Sequence, residues 1–316
     1  MKRQPIDRYA GPTTLGIDVS AYQPVIDWPL VARSEAHFDG RSVGPVRFAV
    51  VRACDGVQTR RDSKPDPWAV RHLQGAHEAG LLVAAYFFLR AYHGALEQLE
   101  LVLEVLRVAV VPIGFVAIDV EGRPDDPTTP DTDESSGAWW APPDMLAAHV
   151  DTADVLDDVL ELARRIRAEG HRPILYSGVA WHWHVAQRGL APPLGELGDL
   201  WTPFYSRGSA PGMPVDAKGR PAPWPAWRLW QFAGSAALPG SVPGIPGAVD
   251  LNRFRGDEDE LARWWTPTTR TAPPAPSPIE AAYADLLRHA LGAKAVGDQD
   301  AAERLLAAAE GLGAKT

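Results

Sequence analysis

The chain has 316 residues and a single cysteine, Cys54. That excludes intramolecular disulfides and any cysteine-based zinc site. Cys54 closes an apolar stretch, where the expected role is a small buried hydrophobe. Positive charge is also in short supply. The formal net charge is −9, and no basic run suggests a nucleic-acid partner. The same balance gives no electrostatic help in approaching an anionic wall or membrane. No apolar run approaches the length of a membrane span, so no membrane insertion is expected. Met1 to Arg8 carries positive charge with no apolar segment behind it. The expectation is therefore synthesis in the cytoplasm without a signal peptide. No internal repeat suggests a solenoid. No ligand set has metal spacing either: Asp131-Thr-Asp-Glu-Ser-Ser-Gly137 fails the calcium-loop pattern, since its glycine falls one place late. Trp181-His182-Trp183-His184 reads as packing, not a metal site. No metal or organic cofactor is expected.

What is abundant is tryptophan, 12 residues, and proline, 30. Tryptophan suits both core filling and stacking on sugar rings, because its face is apolar and polarisable. The most informative stretch is Ile113-Gly-Phe-Val-Ala-Ile-Asp-Val-Glu121. It starts as a continuous apolar run, which suits a parallel strand buried on both faces. It ends in two carboxylates, Asp119 and Glu121, two residues apart and so on the same face. Their Cα atoms should lie about 6–7 Å apart. Like charges that close raise one of the two pKa values. A neutral carboxylic acid beside a carboxylate is what glycosidic bond cleavage uses.

Taken in order, further strands are expected at Thr14–Ser20, Arg47–Ala53, Leu81–Leu89, Pro173–Ser177, Leu200–Tyr205, Trp227–Phe232 and Ala248–Phe254. Asp27 can cap a short helix from Trp28 to about Ala36. Asp66-Pro67 should open a second helix that Gly80 ends. Leu96, Leu99, Leu103, Leu106 and Val110 recur at helical spacing, as does a stripe between Asp144 and Glu169. Strand and helix alternate as far as Ser177; afterwards only Pro- and Gly-rich loops separate the strands. The reading is an α/β fold, a flattened TIM-like barrel of five βα units and three closing strands, over residues 12–265. Residues 266–278 form a Pro/Thr-rich linker, and 279–316 a helical hairpin of unknown role. That hairpin is slightly acidic and offers a possible docking element for a partner.

Several separate stretches share one pattern: Gly16-Ile-Asp-Val-Ser with Gln23, Phe48-Ala-Val-Val-Arg-Ala, Ala117-Ile-Asp-Val-Glu121, Pro173-Ile-Leu-Tyr176, Leu229-Trp-Gln-Phe232 and Gly244-Ile-Pro-Gly-Ala-Val-Asp-Leu-Asn-Arg-Phe254. In order and spacing the chain resembles the glycoside hydrolase family 25 lysozymes, the N-acetylmuramidases of phages, bacteria and fungi, from Leu15 to about Phe254. The resemblance implies a (β/α)5β3 barrel that cleaves the β-1,4 bond between N-acetylmuramic acid and N-acetylglucosamine in peptidoglycan glycan strands. It implies Glu121 as general acid, Asp119 as its partner carboxylate, and Asp18 and Asp250 as two further acids. Tyr86, Tyr176, Tyr205, Trp230, Gln231 and Asn252 fall where the family lines its sugar groove. The chain departs from the family at Tyr86-Phe87-Phe88, where a histidine between two aromatics is usual, and at Cys54-Asp55-Gly56, where Thr-Glu-Gly is usual.

A carboxylate at Asp119 can attack the anomeric carbon, polarise a water, or orient the substrate's own 2-acetamido group. We adopt the last, which requires net retention at the anomeric carbon. Two other functions compete with the muramidase: a glycan-binding barrel without turnover, and a hydrolase of another N-acetylated glycan such as chitin. A wall-degrading groove without an export segment fits an endolysin or a delivered lysin, which reaches the bacterial wall only after release.

Overall fold

The computed structural model describes residues 9–55, 65–90, 94–120, 152–177, 197–206, 210–211, 224–234 and 238–266, with Ala301 and Arg304. The catalytic candidate Glu121, the acidic loop after it, Trp139, Trp140, residues 181–184 and the linker lie outside these residues. So does all of the expected C-terminal hairpin apart from Ala301 and Arg304.

Eight strands close into a barrel: β1 (Thr13–Val19), β3 (Arg41–Asp55), β4 (Leu82–Phe88), β5 (Val116–Val120), β6 (Pro173–Ser177), β7 (Leu200–Pro203), β8 (Leu229–Ala233) and β10 (Asp250–Arg255). Neighbours from β1 through β8 run parallel. Only β10 is antiparallel, inserted between β8 and β1. All eight expected strands are therefore present, and they make the α/β barrel the sequence pattern predicts. Helices α1 (Trp28–Arg33), α2 (Ala69–Glu78), α3 (Ala95–Ala109) and α4 (Thr152–Ala168) connect strands, and α5 (Glu258–Trp265) follows β10.

Strand alternation sorts the side chains into two cores. Residues facing the helices include Val51, Val83, Ile118 and Leu175, packed with Leu73, Leu99, Val102, Val159 and Ile166. Residues facing inward include Phe48, Val50, Ala84, Phe115, Ala117, Ile174, Tyr176, Trp201, Leu229 and Phe254. The inner position of β1 is Gly16, and a Cβ there would come 2.3 Å from the Phe48 ring. Glycine is thus what lets the phenyl ring fill the axis. Helix α5 plugs the floor. Asp257 and Glu260 form a reciprocal capping box at its start. Trp265 at its end lies 5.2 Å from the Phe48 ring and 5.0 Å from the Phe115 ring, and donates to the Val83 carbonyl at 3.1 Å. Among the described residues, the N-terminal end is thus sealed and the barrel opens at the C-terminal ends of its parallel strands.

Three local expectations change. Helix α1 stops at Arg33, because Ser34 is extended. The next residues form β2 (Glu35–Phe38), a hairpin with an early-starting β3 across Asp39-Gly40, both at positive φ. A short β9 (Gly240–Ser241) pairs with β2 outside the barrel. Helix α2 begins at Ala69, with Trp68 at its N-cap position. Asp66 still accepts from the Trp68 amide at 3.0 Å, but its other oxygen accepts from Ala21 N at 2.8 Å and from Arg52 Nε at 3.0 Å. It ties the first turn to the barrel mouth instead of capping the helix. Cys54 is fully buried, and burial pushes its thiol up to about 12, leaving it inert.

Candidate active site

Among the described residues, the open end holds a cleft lined by Asp18 from β1, Arg52 from β3, Tyr86 and Phe88 from β4, Asp119 from β5, Tyr176 and Trp201 from β6 and β7, Tyr205, Gln231 and Asp250, and by the turn carrying Tyr22 and Gln23. In parallel barrels this end carries the chemistry. The reason is geometric here: each inward position one step beyond the hydrophobic layer reaches the mouth. On β5 the sequence Phe115, Ala117, Asp119 runs up the inner face, so Asp119 is the first polar group above a sealed core. It is 4% exposed.

Asp18 and Asp250 are direct cross-strand partners in the β1–β10 ladder. Beneath them lies a network with a fixed direction. The Trp201 indole N–H can only donate, and it donates to Asn252 Oδ1 at 2.8 Å. The Asn252 amide therefore turns its NH2 to Asp18 Oδ2, at 2.6 Å. Likewise the hydroxyls of Tyr176 and Tyr205 donate to Gln231 Oε1 at 2.9 and 3.1 Å. Gln231 Nε2 then donates to Asp18 Oδ2 at 2.9 Å and reaches Asp250 Oδ2 at 3.4 Å. Two tyrosines and a tryptophan thus aim two amides at one carboxyl. Burial raises the pKa of Asp18, while its hydrogen bonds to Asn252, Gln231 and Asp250 pull the other way. The net effect is that Asp18 keeps its proton more readily than a solvated acid would. Gly234 makes room for the acid pair, since a Cβ there would meet Asp250 Oδ1 at 2.5 Å.

Tyr86 sits among these acids. Burial raises its pKa well above the usual phenol value, and Asp18, Asp119 and Asp250 push the same way while Arg52 opposes them. Its hydroxyl stays protonated and can donate a hydrogen bond. Arg52 bridges Asp66 and Asp55, at 3.0 and 3.3 Å, and Arg90 holds the other side of Asp55 at 2.8 Å. This network fixes a cation beside the cleft.

Of the residues expected from sequence, Asp18, Asp119, Asp250, Tyr86, Tyr176, Tyr205 and Gln231 meet at the cleft. Asn252 does not line it; fully buried, it supports Asp18 from below. Trp230 is not brought there at all. Leu229 and Gln231 take the inward positions of β8, so Trp230 points outward. It packs on Trp227 and Phe232, with its indole donating to the Phe204 carbonyl at 2.7 Å. Arg52 and Tyr22 line the cleft but were not among the expected site residues. The alternation Phe48, Val50, Arg52 is the signal that marks the arginine as inward.

Residues 17–241 match the family described as Glycosyl hydrolases family 25. The uncharacterised protein YegX of Escherichia coli O157:H7 is 27% identical over 253 residues, 79% of this chain and 72% of that one. Among solved structures, a lysozyme from Streptomyces coelicolor superposes with a TM-score of 0.53 at 20% identity, covering 83% of this chain and 100% of the other. A family 25 glycosyl hydrolase from Bacillus anthracis gives 0.51 at 18% identity, covering 83% and 98%. The family match spans most of the closed barrel and its acid-lined mouth, and the chain accordingly belongs to Glycosyl hydrolases family 25 and is a glycoside hydrolase.

Proposed function

We propose that the protein is a peptidoglycan N-acetylmuramidase that hydrolyses the β-1,4 bond between N-acetylmuramic acid and N-acetylglucosamine. The observation that carries this reading is Asp119. It is the first polar side chain above the apolar residues on the inner face of β5, it opens into the same cleft as the Asp18–Asp250 pair, and it heads the Asp-Val-Glu motif. Similarity to the Streptomyces coelicolor lysozyme supports the substrate class.

In this reading Glu121 is protonated and gives its proton to the glycosidic oxygen as the C1–O bond breaks. The carbonyl oxygen of the sugar's own 2-acetamido group closes on C1 and forms an oxazolinium ion. Asp119 orients the acetamido N–H and offsets the positive charge that develops on it. Water, deprotonated by Glu121, then opens the ring at C1. Both proton transfers balance on Glu121, and the configuration at C1 is retained. Asp18 and Asp250, held by Gln231 and Asn252, take the hydroxyl and acetamido groups of the sugar that distorts towards the transition state. Tyr86 adds a donor.

Digestion of purified cell walls tests the reading. Loss of turbidity together with new N-acetylmuramic acid reducing ends is expected. New N-acetylglucosamine ends, or cleavage of chitin in preference to wall glycan, would refute the assignment of the bond.

A further inference from the structure

The reaction just described uses the floor and walls of the cleft and leaves its rim unexplained. Tyr22 lines the cleft and yet is 78% exposed. Of the other exposed large apolar side chains described, Val25, Leu96 and Val110 stand away from the cleft, and Tyr205, which lines it, is less exposed and tied by its hydroxyl to Gln231. The turn that carries Tyr22 is pinned at every step. Gln23 N donates to the Ser20 carbonyl at 3.0 Å, and Ser20 N donates to Gln23 Oε1 at 3.1 Å. Tyr22 N donates to Ser20 Oγ at 3.3 Å, and Ala21 N to Asp66 Oδ2 at 2.8 Å. Gln23 Nε2 reaches the Ala248 carbonyl at 3.3 Å, which anchors the turn to the segment entering β10. The Arg52 guanidinium lies over the ring, 5.4 Å from its centroid, and is itself held by Asp55 and Asp66.

A large aromatic ring left in water on an immobilised turn contributes little to the fold. What it gains is readiness: one face is backed by a fixed cation, and the rest is open. The negative face of an aromatic ring attracts the slightly positive C–H edges of a partner, and a pyranose ring presents such C–H groups on its flat face. A ring already held in place loses little side-chain entropy when it is covered. The geometry points to Tyr22 as a stacking platform for a pyranose ring of the bound glycan, on the β1 side of the cleft. This rests on the glycan-hydrolase reading above and adds to it a binding contact that takes no part in the chemistry. The ring face does the work, and the hydroxyl is dispensable.

The test uses the full chain carrying Glu121→Gln, which stops turnover, and a soluble tetrasaccharide of alternating N-acetylglucosamine and N-acetylmuramic acid, titrated by calorimetry. Tyr22→Ala should raise Kd about 3- to 10-fold. Tyr22→Phe and Tyr22→Trp should bind within about twofold of the parent. The unfolding midpoint of Tyr22→Ala should not move, because so exposed a side chain adds little to stability. In the active background, Tyr22→Ala should raise KM on the tetrasaccharide and leave kcat nearly unchanged. If the parent binds the tetrasaccharide and Tyr22→Ala binds it equally well, the platform is refuted while the substrate reading stands. If Tyr22→Phe binds as weakly as Tyr22→Ala, a hydroxyl contact replaces stacking and the inference is again refuted. A parent that fails to bind the tetrasaccharide overturns both readings together.

Discussion

Replacing Asn252 by leucine tests the network beneath Asp18 most sharply. The side chain is fully buried, donates to Asp18 at 2.6 Å and accepts from the Trp201 indole at 2.8 Å. Leucine has nearly the same volume, so no large cavity forms. The substitution removes a hydrogen bond to a carboxyl group, about 1.5–3 kcal/mol when that group is ionised, and strands the Trp201 N–H, about 1–3 kcal/mol. Burying leucine in place of an amide returns about 1 kcal/mol. The net loss expected in urea unfolding, at unchanged m-value, is about 1.5–5 kcal/mol. Asp18 should also hold its proton to higher pH, since its remaining side-chain hydrogen-bond partners are Gln231 and Asp250. Trp201→Phe removes the same bond from the other side. The two changes together should therefore cost about 1–2 kcal/mol less than their sum, because each removes the group the other strands. Additivity within about 0.5 kcal/mol would refute the network as drawn.

Asp119→Asn and Glu121→Gln should each lower kcat about 10²- to 10⁴-fold on wall glycan without moving the unfolding midpoint; retention of more than about a tenth of activity by either would remove it from its role. Burial lowers the pKa of His72 from 6.5 to about 4, with Asp66 opposing the shift. The unfolded chain therefore takes up a proton below 6.5 that the folded chain refuses until about 4. Stability should fall across that window by up to about 3 kcal/mol, and His72→Phe should flatten the fall in urea titrations at pH 7 and pH 5. Ending the chain after Thr266 should preserve both fold and activity on purified walls. Ending it after Gly256 removes α5 and should abolish cooperative unfolding, since loss of one buried tryptophan such as Trp265 alone costs about 3–5 kcal/mol.

The barrel was legible because its strands are short apolar runs broken by glycine, proline or an acid, with Asp18 and Asp119 near the ends of parallel strands and Asp250 at the start of the antiparallel one. Asp18, Asp119 and Asp250 reach the cleft for that reason. What stayed hidden depends on facing and on long-range contacts. Trp230 looked like a sugar-stacking residue by type, yet strand alternation against Gln231 turns it outward. Asp66 looked like a helix cap by its Asp-Pro dipeptide, but two partners from distant segments, Ala21 and Arg52, claim its second oxygen. The β2–β3 hairpin carries a local signal, Asp39-Gly40 between alternating residues, but its first strand overlaps the helical pattern that runs to about Ala36. The role of Asn252 as a support rather than a lining residue follows from the Trp201 indole, fifty-one positions away in sequence.

We propose a retaining muramidase whose sugar supplies its own nucleophile. Proton NMR of the first products from a soluble glycan of alternating N-acetylglucosamine and N-acetylmuramic acid, read before mutarotation, tests it most directly. N-acetylmuramic acid is expected at the new reducing end, in the β configuration. An α anomer at that position would contradict it.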